Sequence, residues 1–326
     1  MRGLSLRVLV AGGAGFIGSH LCDRLLADGH DVVAVDNFVT GRYANIEHLQ
    51  ANDRFSYHDF DITDPIDFLD HVDQIYHLAS PASPEGYMRH PIETHLVNSV
   101  GTLNLLRLAE RHGATFLYTS TSEAYGDPQV HPQDETYRGN VNPIGPRSCY
   151  DESKRFGESI TMEFVRQFDL DARIVRIFNT YGPRNDPKDG RVVPEFIMRA
   201  LRHQPLPVFG DGSQTRSLCY VSDLVEGLRA AMNRPNTKGE VINLGNPDER
   251  TVSELAALIA KLCGSTAGVE HLPERPDDPY KRCPDISKAK RLLGWSPVVD
   301  IETGMRETIA YFSRYVTREP SAVLDA

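Results

Sequence analysis

Hydrophobic positions in the first half of the chain fall into short β-branched runs separated by longer amphipathic stretches. The runs are RVLVAG (7–12), DVVAVD (31–36), RFSYHDF (54–60), DQIYHLA (73–79), ATFLYTS (114–120) and ARIVRIF (172–178). Among the stretches between them, helices are predicted up to about 28, across about 92–112 and around 148–168. That alternation predicts a parallel sheet with helices over both faces. After about 180 the pattern loosens into Pro- and Gly-rich connections, YGPRNDPKDG (181–190) and FGDGSQTR (209–216). Helices are predicted among them near 191–203, 222–233, 251–263 and 301–315.

At 326 residues the chain is long enough for a sizeable core and for two joined lobes. Its 40% hydrophobic and 25% charged residues are those of a globular protein, with disorder hinted at only in the last ten or so. A formal charge of −10 argues against nucleic acid as a partner while leaving room for a local basic pocket that takes one diphosphate. The five cysteines, Cys22, Cys149, Cys219, Cys263 and Cys283, lack CxxC or Cys/His spacing. This predicts neither a disulfide framework nor a zinc site, and it suits a reducing cytoplasm. The apolar run within MRGLSLRVLVA leads straight into glycines, unlike a signal peptide, and no stretch approaches the about 18 apolar residues of a membrane span.

Gly12, Gly15 and Gly18 in GGAGFIGSH follow a predicted strand and open a predicted helix. In that context glycines permit the tight turn and the close approach of backbone to a pyrophosphate, while the helix N-terminus offers unpaired N–H groups. Asp36 ends the second strand, 18 residues after Gly18. A carboxylate there accepts from the adenosine ribose hydroxyls and repels a 2′-phosphate, which favours NAD over NADP; Arg42 nearby softens that preference. Asp61, after the third strand, is a candidate adenine-side contact. The expected fold is therefore α/β, a Rossmann-type doubly wound parallel sheet with a smaller C-terminal substrate-binding lobe. The NAD-binding domain covers 1–180, with segments near 215–245 returning to it; the substrate lobe covers mainly 181–315 and a tail 316–326. Ligands of such sheets bind outside the carboxyl ends of the strands, between the lobes.

Tyr150 and Lys154 lie four apart on a predicted helix, so both can face that cleft, and Thr121 ends the fifth strand. Together they can form one acid/base unit. A nearby ammonium and the nicotinamide charge lower the tyrosine pKa, so that Tyr150 takes a proton from a sugar hydroxyl as hydride leaves its carbon. Thr121 hydrogen-bonds the same oxygen, and Lys154 also holds the nicotinamide ribose.

GGAGFIG, Asn98 in VNSVGTLNLL, STSEAYG, YDESK and RIFNTYGPR resemble the extended short-chain dehydrogenase/reductase superfamily over about 7–315. HLASPASP (77–84), STSEAYGDPQVHPQ (120–133), GNVNPIGPRSCYDESKR (139–155), DGRVVPEFI (189–197) and QTRSLCYVSDLV (214–225) narrow the resemblance to UDP-glucuronate decarboxylases, the UDP-xylose synthases. The resemblance implies oxidation of the sugar C4 by bound NAD, loss of the C5 carboxylate as carbon dioxide, and return of the hydride to give UDP-xylose. It assigns hydride transfer to Tyr150, Lys154 and Thr121, and the decarboxylation step to Ser122 and Glu123. Arg282 in YKRCPD matches an arginine that protonates the intermediate or steers its carboxylate. Asn179, Arg191 and Arg216 match positions holding the sugar diphosphate and uridine, where an arginine forks onto phosphate oxygens. Phe16, Ile17, Asn37, Ile62 and Leu78 join the glycines, Asp36, Asp61, Tyr150 and Lys154 as cofactor contacts.

By the same resemblance the protein is a homodimer built on the helices near 92–112 and 148–168. Three departures stand out: Leu96 replaces an expected lysine, Arg138 a common tryptophan and Ser153 a common glycine. They open the prospect of a lost substrate contact and of some UDP-4-keto-pentose release. Arg176 reads equally well as structural. A sugar-nucleotide 4,6-dehydratase and a 4-epimerase share the C4 oxidation and remain alternatives. Ser122-Glu123 in place of Asp-Glu counts against the first, and the second needs neither Glu123 nor Arg282. A non-catalytic NAD-binding regulator on the same fold usually lacks the Tyr/Lys pair.

Overall fold

The computed structural model describes residues 5–273 and 281–316, so the expected tail past Val316 lies outside the described residues. In chain order the first half runs β1 (Arg7–Ala11), α1 (Phe16–Ala27), β2 (Asp31–Asp36), β3 (Phe55–Asp59), β4 (Gln74–His77), α2 (Pro84–Arg89), α3 (Pro91–Leu96), α4 (Thr102–His112), β5 (Thr115–Thr121), α5 (Ser148–Phe168) and β6 (Ala172–Ile177). Then follow β7 (Thr180–Tyr181), α6 (Val192–Leu201), β8 (Leu206–Phe209), β9 (Thr215–Ser217), β10 (Cys219–Tyr220), α7 (Val221–Asn233), β11 (Val241–Leu244), β12 (Glu249–Thr251), α8 (Val252–Cys263), β13 (Val269–Leu272), α9 (Ser287–Leu293) and α10 (Ile301–Val316).

Seven strands form one sheet in the order β11-β6-β5-β4-β1-β2-β3, and every neighbouring pair is parallel. Because successive side chains of a strand point to opposite faces, β1 feeds two separate apolar layers. Val8 and Val10 pack with Leu21, Leu25, Leu224 and Leu228 of α1 and α7. Leu9 and Ala11 pack with Leu105, Phe116 and Phe164 on the other face. Both faces are thus covered, which is why the inner strands read as largely apolar runs, while the edge strand β3, FSYHD, is mostly uncovered. The strand order reverses between β1 and β4, and the crevice at that switch point opens beside the glycine loop.

The helix expected across 92–112 is not continuous. Val97–Gly101 form a wider π turn between α3 and α4. Asn98 causes a local competition there: its Nδ2 donates to the Thr94 carbonyl, to Ser80 Oγ and to Ser153 Oγ, each at 3.0 Å. The widened turn leaves Asn98 fully buried between α5 and the loop after β4. The short helix α2 is an element the periodicity missed; Ser83 caps it, accepting from Gly86 N at 3.1 Å, with Pro84 in its first turn.

After β6 the chain builds three two-stranded sheets, β7 with β10, β9 with β12, and β8 with β13. Asp223, in the first turn of α7, ties the later segments down. Its carboxyl accepts from Val298 N at 3.0 Å and Val299 N at 2.9 Å, while its carbonyl accepts from Trp295 Nε1 at 2.9 Å. Asp223→Ala should lower the stability of the fold by about 2–3 kcal/mol, the scale of losing bonds to a buried carboxyl. Urea unfolding would read this as a lower midpoint, and an unchanged midpoint would show that the tie carries no stability.

Candidate active site

The switch-point crevice widens into a cleft of ≈ 520 Å³. On one side runs the glycine loop. Gly12 has φ +83°, and a Cβ there would stand 2.7 Å from backbone atoms of Leu78 and Ala79. A Cβ on Gly18 would stand 2.0 Å from the Gly12 carbonyl oxygen, so α1 can seat on the loop only with glycine at that position. Gly15 caps α1 without a side-chain hydrogen bond, and the first turn carries no acidic residue. The exposed N–H groups and positive end of the helix dipole therefore face the cleft unopposed, which suits an anionic pyrophosphate. Phe16, Ile17 and Leu78 line the same wall.

Asp36, Asn37, Asp61 and Ile62 lie behind that wall. Asp36 accepts from Ala14 N at 3.0 Å and Phe38 N at 2.9 Å, and burial pushes its carboxyl above the usual range. Asn37 Nδ2 donates to Asp61 at 2.9 Å, and Ile62 is buried against Gly101. The glycine cradle, the uncapped helix and the carboxyl closing β2 fit a dinucleotide. Arg42 does line the cleft, but its guanidinium is engaged, donating to the carbonyls of Arg184 at 2.8 Å and Asn185 at 3.2 Å.

The opposite wall comes from the end of β5 and the start of α5. Thr121 closes β5 and its hydroxyl accepts from Glu123 N at 3.2 Å, starting the tight turn Ser122–Tyr125. Tyr150 and Lys154 face this turn from α5, and Tyr150 stacks on Tyr87 with ring centres 5.0 Å apart and planes at 6°. Lys154 Nζ donates to the Thr119 carbonyl at 2.9 Å and lies 5.9 Å from the Tyr150 ring centre.

The lowering of the tyrosine pKa expected beside a nicotinamide charge is not supplied by the protein's own groups. Burial pushes Tyr150 up to about 12, with the Thr121 hydroxyl and Arg191 offsetting it only in part. Burial likewise pushes Lys154 down to about 7 against the pull of Glu158. The dry site favours the neutral form of both, and that outweighs any help one gives the other.

Glu123 is no solvated loop acid. Its carboxylate is clamped between Arg282 and Arg147, and the Arg282 side chain also donates from Nη2 to the Gly126 carbonyl at 2.8 Å. Burial alone would raise Glu123, but Arg282, Arg147 and Arg216 together hold it below the usual carboxylate range. Arg282 is buried, and among the described residues its Nε has no hydrogen-bond partner. Asn179, Arg191 and Arg216 line the remaining wall; Arg191 Nε is oriented by Asp189 at 2.7 Å.

The structure therefore brings Thr121, Ser122, Glu123, Tyr150, Lys154, Asn179, Arg191, Arg216 and Arg282 around one cleft with the glycine loop. Arg147 and Tyr87 belong to it as well and escaped the sequence reading. Neither carries a spacing signal, although Arg147 stands three residues before Tyr150 on the helix edge that Tyr150 shares. Of the three departures, Leu96 and Arg138 are exposed and lie outside the cleft wall, so neither marks a lost contact there. Ser153 is buried, donating to the Cys149 carbonyl at 2.6 Å and accepting from Asn98. Arg176 grips Glu158 through two bonds of 2.8 and 2.7 Å, a structural role. The cysteines are free thiols. Folding does gather His131, Glu249 and Cys283 with donor atoms within 4.8 Å, though His131 and Glu249 already share a hydrogen bond at 2.8 Å.

Fold and cleft define a Rossmann-type nucleotide-binding protein with a Thr/Tyr/Lys group at the sheet's switch point. Residues 8–245 match the NAD dependent epimerase/dehydratase family, and the chain belongs to it. UDP-glucuronic acid decarboxylase 1 of Danio rerio is 54% identical over 308 residues, 94% of this chain and 73% of that protein. UDP-glucuronic acid decarboxylase 2 of Arabidopsis thaliana is 54% identical over 314 residues, 95% of this chain and 69% of that one. Among solved structures, UDP-glucuronic acid 4-epimerase from Bacillus cereus, in complex with UDP-glucuronic acid and NAD, is 30% identical. It superposes with a TM-score of 0.84, covering 95% of this chain and 100% of that chain.

A lysine buried near neutrality leaves a signature in stability. Its folded pKa of about 7 lies below its unfolded value of about 10.4, so between these pH values the unfolded chain binds more protons. In protein stripped of nucleotide, its contribution therefore rises from about pH 7 toward pH 10 and is flat below. Lys154→Met should remove that rise and cost no stability at pH 7; thermal melts with the same pH slope in both proteins would contradict a buried, neutral-leaning Lys154.

Proposed function

We infer that the protein is an enzyme that decarboxylates UDP-glucuronate through a 4-keto intermediate to UDP-xylose, with NAD as a catalyst regenerated in each turnover. The observation that carries this reading is the buried Glu123–Arg282 pair beside Thr121, Tyr150 and Lys154. A 4-epimerase protonates nothing at C5, so even with a uronic acid substrate it has no use for Glu123 beside that arginine. Gly12, Gly15, Gly18, Phe16, Ile17 and Leu78 hold the dinucleotide along the loop, with Asp36, Asn37, Asp61 and Ile62 on the adenosine side and Tyr150 and Lys154 at the nicotinamide ribose. NAD, when bound, supplies the oxidant for C4 and gives the same hydride back at the end.

With the nicotinamide charge that bound NAD would bring favouring its phenolate, Tyr150 takes the proton of the C4 hydroxyl and returns it at the final reduction, with the Thr121 hydroxyl bonded to the same oxygen. Oxidation leaves the C5 carboxylate β to a ketone, and such an acid loses carbon dioxide because the electrons left behind delocalise into an enolate. Arg282, which lines the cleft with its guanidinium held on Glu123, steers that carboxylate by its charge; a guanidinium surrenders protons too reluctantly to act as the acid. Glu123, held ionised, acts with Ser122 as an acceptor that places the proton source for C5. Asn179, Arg191 and Arg216 hold the diphosphate and uridine, on the smaller lobe that closes the body of the cleft. Since the hydride returns to the same sugar, the glycine loop keeps its NAD through many turnovers.

The protein acts as a homodimer. Ile92, Leu96 and Val100 are exposed at 64, 44 and 39% and follow one another at four-residue spacing, and Phe156 of α5 is exposed at 48%. Leu96 in place of lysine extends this apolar face. Among the described residues no helix is long and apolar enough to cross a membrane, and a reducing cytoplasm suits the free thiols.

NMR of products formed from UDP-glucuronate should show UDP-xylose, with at most a minor 4-keto-pentose; UDP-galacturonate as the product would make the enzyme an epimerase. Tyr150→Phe should abolish carbon dioxide release, while Arg282→Ala and Glu123→Gln should still oxidise C4 and stall afterwards. Near wild-type turnover by Tyr150→Phe would remove it from the mechanism. Sedimentation should give a dimer that Leu96→Asp weakens at least tenfold, and a monomeric wild type would refute the interface.

A further inference from the structure

Arg282 enters the site from 281–286, a segment that is neither helix nor strand. Two buried polar side chains outside the cleft wall hold that segment in register. Gln133 grips it on both edges: its backbone N–H donates to the Cys283 carbonyl at 2.9 Å, its Oε1 accepts from Cys283 N at 3.0 Å, and its carbonyl accepts from Asp285 N at 2.8 Å. Its Nε2 is fixed in turn on the Val130 carbonyl at 2.6 Å. Asn243, within β11, donates from Nδ2 to the carbonyls of Gln133 at 3.0 Å and Asp285 at 3.3 Å. Its Oδ1 accepts from the Tyr125 hydroxyl at 2.8 Å.

Tyr125 ends the same tight turn that carries Glu123, and Arg282 bonds both Glu123 and the Gly126 carbonyl beside it. The bonds therefore close a ring: Glu123, Arg282, the Cys283–Asp285 backbone, Gln133, Asn243, Tyr125 and back to Glu123. Gln133, Asn243 and Tyr125 are fully buried. An asparagine in the apolar strand VINL and a glutamine with no exposed surface are costly choices for packing alone. Their amides are spent on fixing one short segment to one turn.

We propose that Gln133 and Asn243 are positioning residues for Arg282. They touch neither sugar nor cofactor, and they set decarboxylation by holding the guanidinium in place over Glu123 and the C5 carboxylate. This rests on the role given to Arg282 above.

The test uses the full chain with its bound NAD in single turnovers of UDP-glucuronate, following C4 oxidation by absorbance of the reduced cofactor and decarboxylation by trapped carbon dioxide. Gln133→Met should slow carbon dioxide release about 10- to 100-fold, the scale of an about 1 Å misplacement, while C4 oxidation stays within about threefold. Adding it to Arg282→Ala should slow the enzyme no further, because both changes remove the same contribution. Tyr125→Phe deletes one hydroxyl from the ring and should slow the same step about fivefold, so it carries the test if Gln133→Met does not fold. Equal loss of both steps, or effects that multiply in the double variant, would overturn the proposal and leave the role of Arg282 standing. Wild-type carbon dioxide release by Arg282→Ala would overturn that role and this proposal with it.

Discussion

A carboxylate can stay ionised inside a protein only where positive charge and donors replace the water it has lost, and Glu123 sets that condition for this molecule. Its partners come from the start of α5, through Arg147, and from the segment before α9, through Arg282. The end of β5, the first turn of α5 and a segment some 160 residues away must all be in place before that charge is compensated. Removing one partner of a buried pair typically costs about 3–5 kcal/mol, so the cleft is fixed by the same interaction that equips it. One layer deeper, Ser120 donates to Glu158 at 2.6 Å and Arg176 forks onto the same carboxylate. The polar interior at the carboxyl ends of β5 and β6 is thus built from compensated charges, on a sheet that is otherwise apolar.

The sheet was legible in the sequence because a doubly covered parallel strand admits mostly apolar side chains, and such runs stand out between amphipathic stretches; the edge strand β3, FSYHD, showed by its place in the alternation rather than by its composition. The π turn at Val97–Gly101 was not, because it arises from one side chain, Asn98, reaching partners on two other elements. The short strands β7 to β10, β12 and β13 were missed for a related reason. With two to four residues each, they carry no periodicity of their own and exist through pairing across the lobe.

In the site, legibility followed backbone demand. Gly12 and Gly18 are visible because only glycine fits where they stand, and Tyr150 with Lys154 because helical spacing puts them on one face. Arg282 was reached only through resemblance, and nothing in YKRCPD shows that it meets Glu123. Arg147 and Tyr87 were missed because an arginine before a helix and a tyrosine in a helix of six residues have no distinguishing pattern. For Tyr150 and Lys154 the sequence shows proximity but not burial. Spacing reveals that two groups are neighbours, but not how dry their surroundings are, and here burial decides both directions.

Among the described residues, the closed network around Arg282 leaves one buried donor, Nε, without a partner. Such a group carries a penalty of about 1–3 kcal/mol, which a structure keeps only if something else recovers it. The bonds of Nη1 and Nη2 to Glu123 and the Gly126 carbonyl recover it, and they fix a guanidinium charge in the cleft that a carboxylate at C5 of the sugar would match. A hexose carrying a hydroxymethyl at that position would leave the guanidinium charge poorly matched. A site built to satisfy a buried donor rejects the analogue that lacks the acceptor far more strongly than a hydrophobic pocket rejects an extra methylene. Discrimination for a uronic acid over the parent sugar would then lie in the same arginine that holds Glu123 ionised, coupling the choice of substrate to the group that acts on it.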